Sequence, residues 1–144
     1  MRLLLLAALV ALPLAAAGCD TTRDTYGCTL IGCSDALLVR VATVGPPPSG
    51  RYVVRATGDE TRSCAFTLAP DATDTGDGCL GVWIDDGDLV VTLEPLRGAL
   101  RIDVERDDAL VARGSGVAVY EPQYPNGVRC GAVCEVARVT VGGL

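Results

Sequence analysis

The sequence contains neither histidine nor lysine, and this absence removes much of the usual chemistry of active sites. Without histidine there is no common general base and no histidine-containing catalytic triad. An enzyme built from this chain would depend on paired carboxylates, as in glycoside hydrolysis. The acidic residues lie mostly in turns and on outward strand faces, where solvation explains them. We therefore expect no catalytic activity and no cofactor, with a carboxylate-dependent hydrolase as the third-ranked hypothesis.

Aromatic residues and basic clusters are also scarce. Aromatics make up 4% of the chain, and the formal net charge is −6 with every basic residue an arginine. An acidic chain without basic clusters argues against binding to nucleic acid or, by charge, to anionic membranes. The apolar run at the N-terminus, residues 3–12, is too short for a bilayer core, which needs roughly 20 residues.

That apolar run belongs to an N-terminal leader. Arg2 gives a positive start, Pro13 ends the apolar run, and small residues follow, which is the pattern of a secretory signal over residues 1–18. The residues Ala-Ala-Gly-Cys at 16–19 resemble the bacterial lipobox. The resemblance implies that Cys19 carries fatty acyl chains such as palmitate and anchors the protein in the bacterial cell envelope, at the periplasmic face or the cell surface. An ordinary signal peptide followed by a chance cysteine is the alternative.

Six further cysteines predict a disulfide framework, because their number is even and the chain is exported. They are Cys28, Cys33, Cys64, Cys79, Cys130 and Cys134. A structural zinc site is a less favoured explanation of these cysteines than disulfides, because their spacings are C-x4-C and C-x3-C and histidine is absent.

The pairing follows in part from distances along the chain. Cys64 and Cys79 open neighbouring strand candidates and are predicted to bond, closing a loop of about 15 residues. Cys130 and Cys134 would lie about 13 Å apart in an extended strand, beyond the roughly 7 Å limit for a bridge. We expect one of Cys28 or Cys33 to bond one of Cys130 or Cys134, and the other two to bond each other. Cys28–Cys134 with Cys33–Cys130 is preferred, and the local bridges Cys28–Cys33 and Cys130–Cys134 are the alternative.

Short segments of alternating apolar residues indicate an all-β fold. Seven to eight strand candidates are separated by turn signals, and no segment keeps a helical period. They cover residues 36–44, 51–57, 63–68, 79–85, 88–93, 100–105, 109–120 and 136–141. The glycines at 114 and 116 are expected to mark a bulge or kink, and residues 70–78 and 121–127 to be loops. The pattern favours a disulfide-stapled antiparallel β-sandwich over residues 35–144, and a β-barrel is the second choice. Residues 19–34 are expected to be a tether between the lipid and this domain.

Several short motifs resemble a group of small, uncharacterised, exported bacterial lipoproteins. They are GCSD at 32–35, SCAFTL at 63–68, YPNG at 124–127 and CGAVC at 130–134. The resemblance implies an immunoglobulin-like or transthyretin-like sandwich, and it implies no activity.

Two acidic segments are candidates for a calcium site. Their carboxylates belong to Asp71, Asp74, Asp77, Asp85, Asp86 and Asp88. Aspartates on loops supply the oxygen ligands that calcium prefers, but the spacing is not that of an EF-hand and the closing glutamate is missing. Solvated acidic turns are the favoured interpretation.

Trp83 is the one tryptophan. Simple alternation places Leu80, Val82 and Ile84 inside and Trp83 outside, where it would be a binding anchor. The favoured interpretation is that a shifted register at Gly81, or a covered outer face, makes Trp83 part of the core.

These observations lead to a ranked set of functions. The first is a non-catalytic, lipid-anchored structural or interaction module of the cell envelope, held to the membrane by its lipid and contacting an envelope protein. The second is a ligand-binding module, with calcium at the acidic loops or a protein or glycan partner at Trp83. An exposed groove lined by Trp83 and tyrosines would favour the second.

Overall fold

Alternating apolar side chains build ten strands in the part of the chain that the computed structural model describes, residues 33–70, 72–125, 127 and 134–143. The strands are β1 (Ala36–Ala42), β2 (Gly50–Thr57), β3 (Thr61–Ala69), β4 (Ala72–Thr75), β5 (Gly81–Asp85), β6 (Asp88–Leu93), β7 (Gly98–Arg106), β8 (Ala109–Ala118), β9 (Tyr120–Gln123) and β10 (Cys134–Gly142). Within these residues no helix is long and apolar enough to cross a membrane.

The strands form two five-stranded sheets that pack face to face as a β-sandwich, as the sequence predicted. The first sheet has the order β5-β6-β1-β10-β9 and the second the order β4-β3-β2-β7-β8. All pairings are antiparallel except β1 with β10, which run parallel with Ala36 opposite Val136. The parallel pair is a departure from the purely antiparallel sandwich that we expected, and it brings the starts of β1 and β10 to the same end of the sheet.

The core lies between the sheets and is built from the inward positions of the alternating strands. Val39, Val54 and Ile102 are fully buried examples from three different strands. Tyr52 stacks on Phe66 with ring centroids 5.2 Å apart, and its hydroxyl donates to the Pro48 carbonyl at 2.6 Å. The alternation predicted for the segments at 51–57, 63–68, 100–105 and 136–141 is confirmed, because alternate apolar residues of these segments face the core.

Two segments that we expected to be loops contain short edge strands. β4 lies in the acidic segment and pairs with β3, and β9 follows directly on β8 and pairs with β10. Both are four residues long, which is too short for alternation to be visible in the sequence.

The glycines of β8 are not a bulge, so that prediction was wrong. Gly114 pairs with Ile102 and Gly116 with Leu100 in regular register, and the register shift occurs instead opposite Val104 and Glu105. A Cβ on Gly116 would lie 3.0 Å from Cγ1 of Val139 in β10. The glycines therefore let an edge strand of the second sheet approach β10 of the first sheet closely.

Candidate functional site

The predicted bond between Cys64 and Cys79 is present. Cys64 is fully buried in β3, Cys79 lies two residues before β5, and their Cα atoms are 4.6 Å apart. The chain between them turns back along β3, where the Ala65 N–H donates to the Asp77 carbonyl at 3.1 Å. This bond ties the second sheet to the edge of the first.

The second described disulfide joins Cys33 to Cys134, with Cα atoms 5.6 Å apart across 101 residues. It confirms that an N-terminal cysteine bonds a C-terminal one, and it rules out the local bridges. The preferred matching, with Cys28 bonded to Cys134 and Cys33 to Cys130, was wrong.

The parallel pairing of β1 and β10 explains this outcome. Cys33 lies three residues before Ala36, and Cys134 lies two residues before Val136, the partner of Ala36. Strands that start together place the residues before them side by side. Cys28 and Cys130 lie outside the described residues, as does the predicted lipidation site Cys19.

The acidic residues proposed for calcium do not converge among the described residues. No group of three cysteine, aspartate or glutamate side chains is arranged to hold a metal ion there. Asp74 lies on β4 and Asp77 beyond it, whereas Asp86 is at the β5–β6 turn with a φ of 50°. Asp71 lies outside the described residues.

Asp85 and Asp88 instead hold an arginine. The guanidinium of Arg40 on β1 donates to the carboxylates of both aspartates, with Nη1 3.0 Å from Oδ2 of Asp88. The Thr43 backbone N–H donates to Asp88 at 3.1 Å. The Arg40 hydrogen bond, followed by the Thr43 one, lowers the pKa of Asp88. The two aspartates therefore fix the orientation of Arg40 on the outer face of the first sheet.

Trp83 lies on that same outer face, as simple alternation predicted, and it is 42% exposed. The interpretation of Trp83 as a core residue was therefore wrong. A Cβ on Gly81 would lie 3.5 Å from Cζ3 of the indole, so the ring leans along β5 over this residue. The same alternation predicted Leu80 and Ile84 to be inside, but both are about half exposed because β5 is an edge strand.

Two grooves meet at Trp83 and Leu38. The larger, about 440 Å³, runs toward the Cys33–Cys134 bond and is also lined by Thr92, Gln123 and Tyr124. The smaller, about 260 Å³, runs toward the opposite end of the strands. Its lining adds Arg40, Asp85, Val90, Arg138 and Thr140.

The floor of these grooves is apolar although it faces away from the core. Trp83, Val90, Arg40 and Thr140 lie in one cross-strand row. Val90, between the tryptophan and the arginine, is only 3% exposed. Ala36 and Cys134 are also buried on this outer face. The arrangement combines an apolar surface with hydrogen-bonding groups at its sides, which is typical of ligand-binding grooves.

Among the groove residues, the sequence interpretation named Trp83 as a binding residue and Cys33, Cys134 and Asp85 in other roles, and it missed most of the others. A usable signal was present, because β1 and β6 read as nearly continuous apolar runs, with Leu38 and Val90 between core residues. Such runs indicate that both faces of a strand are covered. Arg138 and Gln123 carried no comparable signal, since their position depends on how β10 and β9 pair.

No family model, no curated protein and no solved structure matches this chain. The geometry described above is therefore the basis for a functional assignment.

Proposed function

We propose that the chain is a non-catalytic binding module of the bacterial cell envelope, anchored by a lipid on Cys19, that binds its ligand on the outer face of the first sheet around Trp83. One observation carries the proposal. The chain's one tryptophan lies exposed between two grooves on an apolar sheet face, where a charged surface would be expected. Tryptophan in such a position is the side chain most enriched in binding hot spots.

The disulfide bonds support the proposed location in the cell envelope. The two described disulfides fit an oxidising compartment outside the cytoplasm. The Cys33–Cys134 bond joins the start of β1 to that of β10, beside the larger groove. A binding face on paired strands with a nearby cross-link is rigid before its ligand arrives, and this lowers the entropic cost of binding.

The anchor has its own test. Mass spectrometry of the mature N-terminus should show an acylated Cys19, and Cys19→Ser should move the protein from the membrane fraction to the supernatant. A Cys19→Ser protein that stays in the membrane would contradict the anchor.

The binding face is tested by co-sedimentation with cell-wall sacculi, using the full chain with Cys19→Ser so that the lipid does not contribute. We expect the protein to sediment with sacculi and Trp83→Ala to remain in solution. Val117→Ala, which shortens an exposed apolar side chain on the other sheet, is the matched control and should sediment normally. Equal sedimentation of all three proteins would refute Trp83 as the anchor of binding.

A further inference from the structure

We propose that the ligand of the Trp83 face is a neutral, linear saccharide. This inference rests on the proposed function and specifies its ligand class. The grooves on the two sides of Trp83 share the tryptophan and Leu38, so they form one path along the direction of β1. The path runs from Cys33 to Arg40, which is about 23 Å at roughly 3.3 Å per residue. Its shape fits a chain of several sugar rings better than one compact molecule.

The backbone beneath the larger groove has few groups to offer a ligand. β6 and β1 are each paired on both sides, and β10 is paired on both sides at Val136 and Ala137, so their N–H and C=O groups there are used in the sheet. An extended peptide that binds by strand addition needs a sheet edge with free backbone groups. Recognition on this face must therefore come from side chains.

The side chains present two complementary surfaces. Trp83 and Leu38 are apolar, and the exposed indole can lie against the C–H face of a sugar ring. Thr92, Gln123 and Tyr124 line the larger groove and carry hydroxyl and amide groups that both donate and accept hydrogen bonds. Sugar hydroxyls have the same dual character, so each hydroxyl can be matched.

The charges around the path favour a neutral ligand. Arg40 is held by Asp85 and Asp88, and Nη1 of Arg138 lies 4.0 Å from the Glu121 carboxylate. Two cations are thus matched by three anions, and the whole chain is acidic. An anionic polymer would meet no excess positive charge here.

The single tryptophan makes the test direct. The full chain with Cys19→Ser is titrated with chitohexaose, cellohexaose and maltohexaose, and tryptophan emission is recorded. Because Trp83 is the one tryptophan in the chain, any change in emission reports on this face. We expect at least one hexasaccharide to give a saturable change with a Kd below about 1 mM. The corresponding monosaccharide should bind at least about ten-fold more weakly, and a hexagalacturonate should give no saturable change.

Variants are compared by calorimetry, since Trp83→Ala removes the fluorophore. Trp83→Ala should raise the Kd for the hexasaccharide about ten-fold or more, and Trp83→Phe should raise it less. Val117→Ala should have the Kd of the parent. Arg138 is more than half exposed and, among the described residues, holds one long ion pair, so Arg138→Gln should fold normally and bind more weakly. Arg138→Gln therefore tests the groove even if Trp83→Ala fails to fold.

The outcomes separate this inference from the proposed function. Trp83-dependent sedimentation with sacculi but no hexasaccharide binding overturns the saccharide and leaves the binding face in place. Saturable binding of a proline-rich decapeptide without hexasaccharide binding also contradicts a saccharide ligand, and it leaves the proposed binding face in place. Hexasaccharide binding that survives both Trp83→Ala and Arg138→Gln overturns the site itself.

Discussion

The outward faces of the two sheets differ in the side chains that they carry. On the second sheet, Asp103 lies in a row between Arg55 and Arg113, and the Arg113 Nε lies 2.5 Å from its Oδ1. Arg55 in turn pairs with Glu105 at 3.1 Å. This is a solvated ladder of alternating charge, as expected for a face in contact with water.

On the first sheet, the same side of the strands carries Leu38, Val90 and Trp83, and the charged side chains Arg40, Asp85 and Arg138 line the smaller groove beside them. The inward faces of both sheets form the same core, so the stability of the fold does not require their outward faces to differ in polarity. An apolar outward face with an exposed tryptophan is the form that many binding surfaces take. The comparison therefore supports the proposed binding face on the first sheet, whereas the second sheet carries a solvated face.

The largest expected effect comes from placing the same polar residue on each face. Val90→Asn buries an amide among apolar neighbours, and it should lower the free energy of unfolding by about 3 kcal/mol. Val117→Asn on the second sheet replaces an exposed valine, and it should change that free energy by less than about 0.5 kcal/mol. Urea unfolding of both variants measures the difference. Equal costs would show that the two faces are not distinct.

A smaller effect should separate the two sides of β8. Gly114→Val drives a side chain into Val141 across the sandwich, and we expect a loss of about 2 kcal/mol. Ser115→Val, on the neighbouring outward position, should be within about 0.5 kcal/mol of the parent. Thermal and urea unfolding provide the measurement. A neutral Gly114→Val would contradict the close approach of β8 to β10.

The smallest effects concern the charges of the two faces and their response to pH. Arg40 lowers the pKa of Asp88, and Arg113, with Arg101, lowers that of Asp103. A lowered folded-state pKa contributes stability that is present above the unfolded value of about 3.9. That contribution is lost as the pH falls through the folded pKa.

We therefore expect Asp88→Asn and Asp103→Asn each to be slightly less stable than the parent at pH 7, with the difference shrinking below about pH 4. Asp88 also accepts from the Thr43 N–H, whereas the hydrogen bonds to the Asp103 side chain come from arginines. Salt at about 1 M should therefore erase more of the Asp103→Asn difference than of the Asp88→Asn difference. Urea midpoints at pH 7 and pH 3, in low and high salt, measure both. A difference that grows as the pH falls would contradict these pKa directions.

The sequence predicted the local features of the fold well. Alternation of period two identified the main strands, and simple alternation placed Trp83 on the outer face, although the favoured interpretation put it in the core. The Asp-Gly pair at residues 86 and 87 is a hairpin signal between two strand candidates, and both residues adopt the positive φ that such a turn requires. Cys64–Cys79 was predictable because the two cysteines lie at neighbouring strand candidates and only 15 positions apart.

The disulfide matching that was predicted wrongly, and the groove residues that the sequence did not reveal, depend on which distant strands become neighbours. Nothing near Cys33 or Cys134 indicates that β1 and β10 pair in parallel, and that pairing selects their bond over the alternatives. The proposed binding face likewise assembles from all five strands of the first sheet, so its chemistry emerges only when Trp83, Leu38 and Arg138 are brought to one surface. By itself the sequence determined which side chains of a main strand share a face, because that depends on the period of one strand. The tertiary structure alone decided which side chains meet, because that depends on pairing between residues up to about a hundred positions apart.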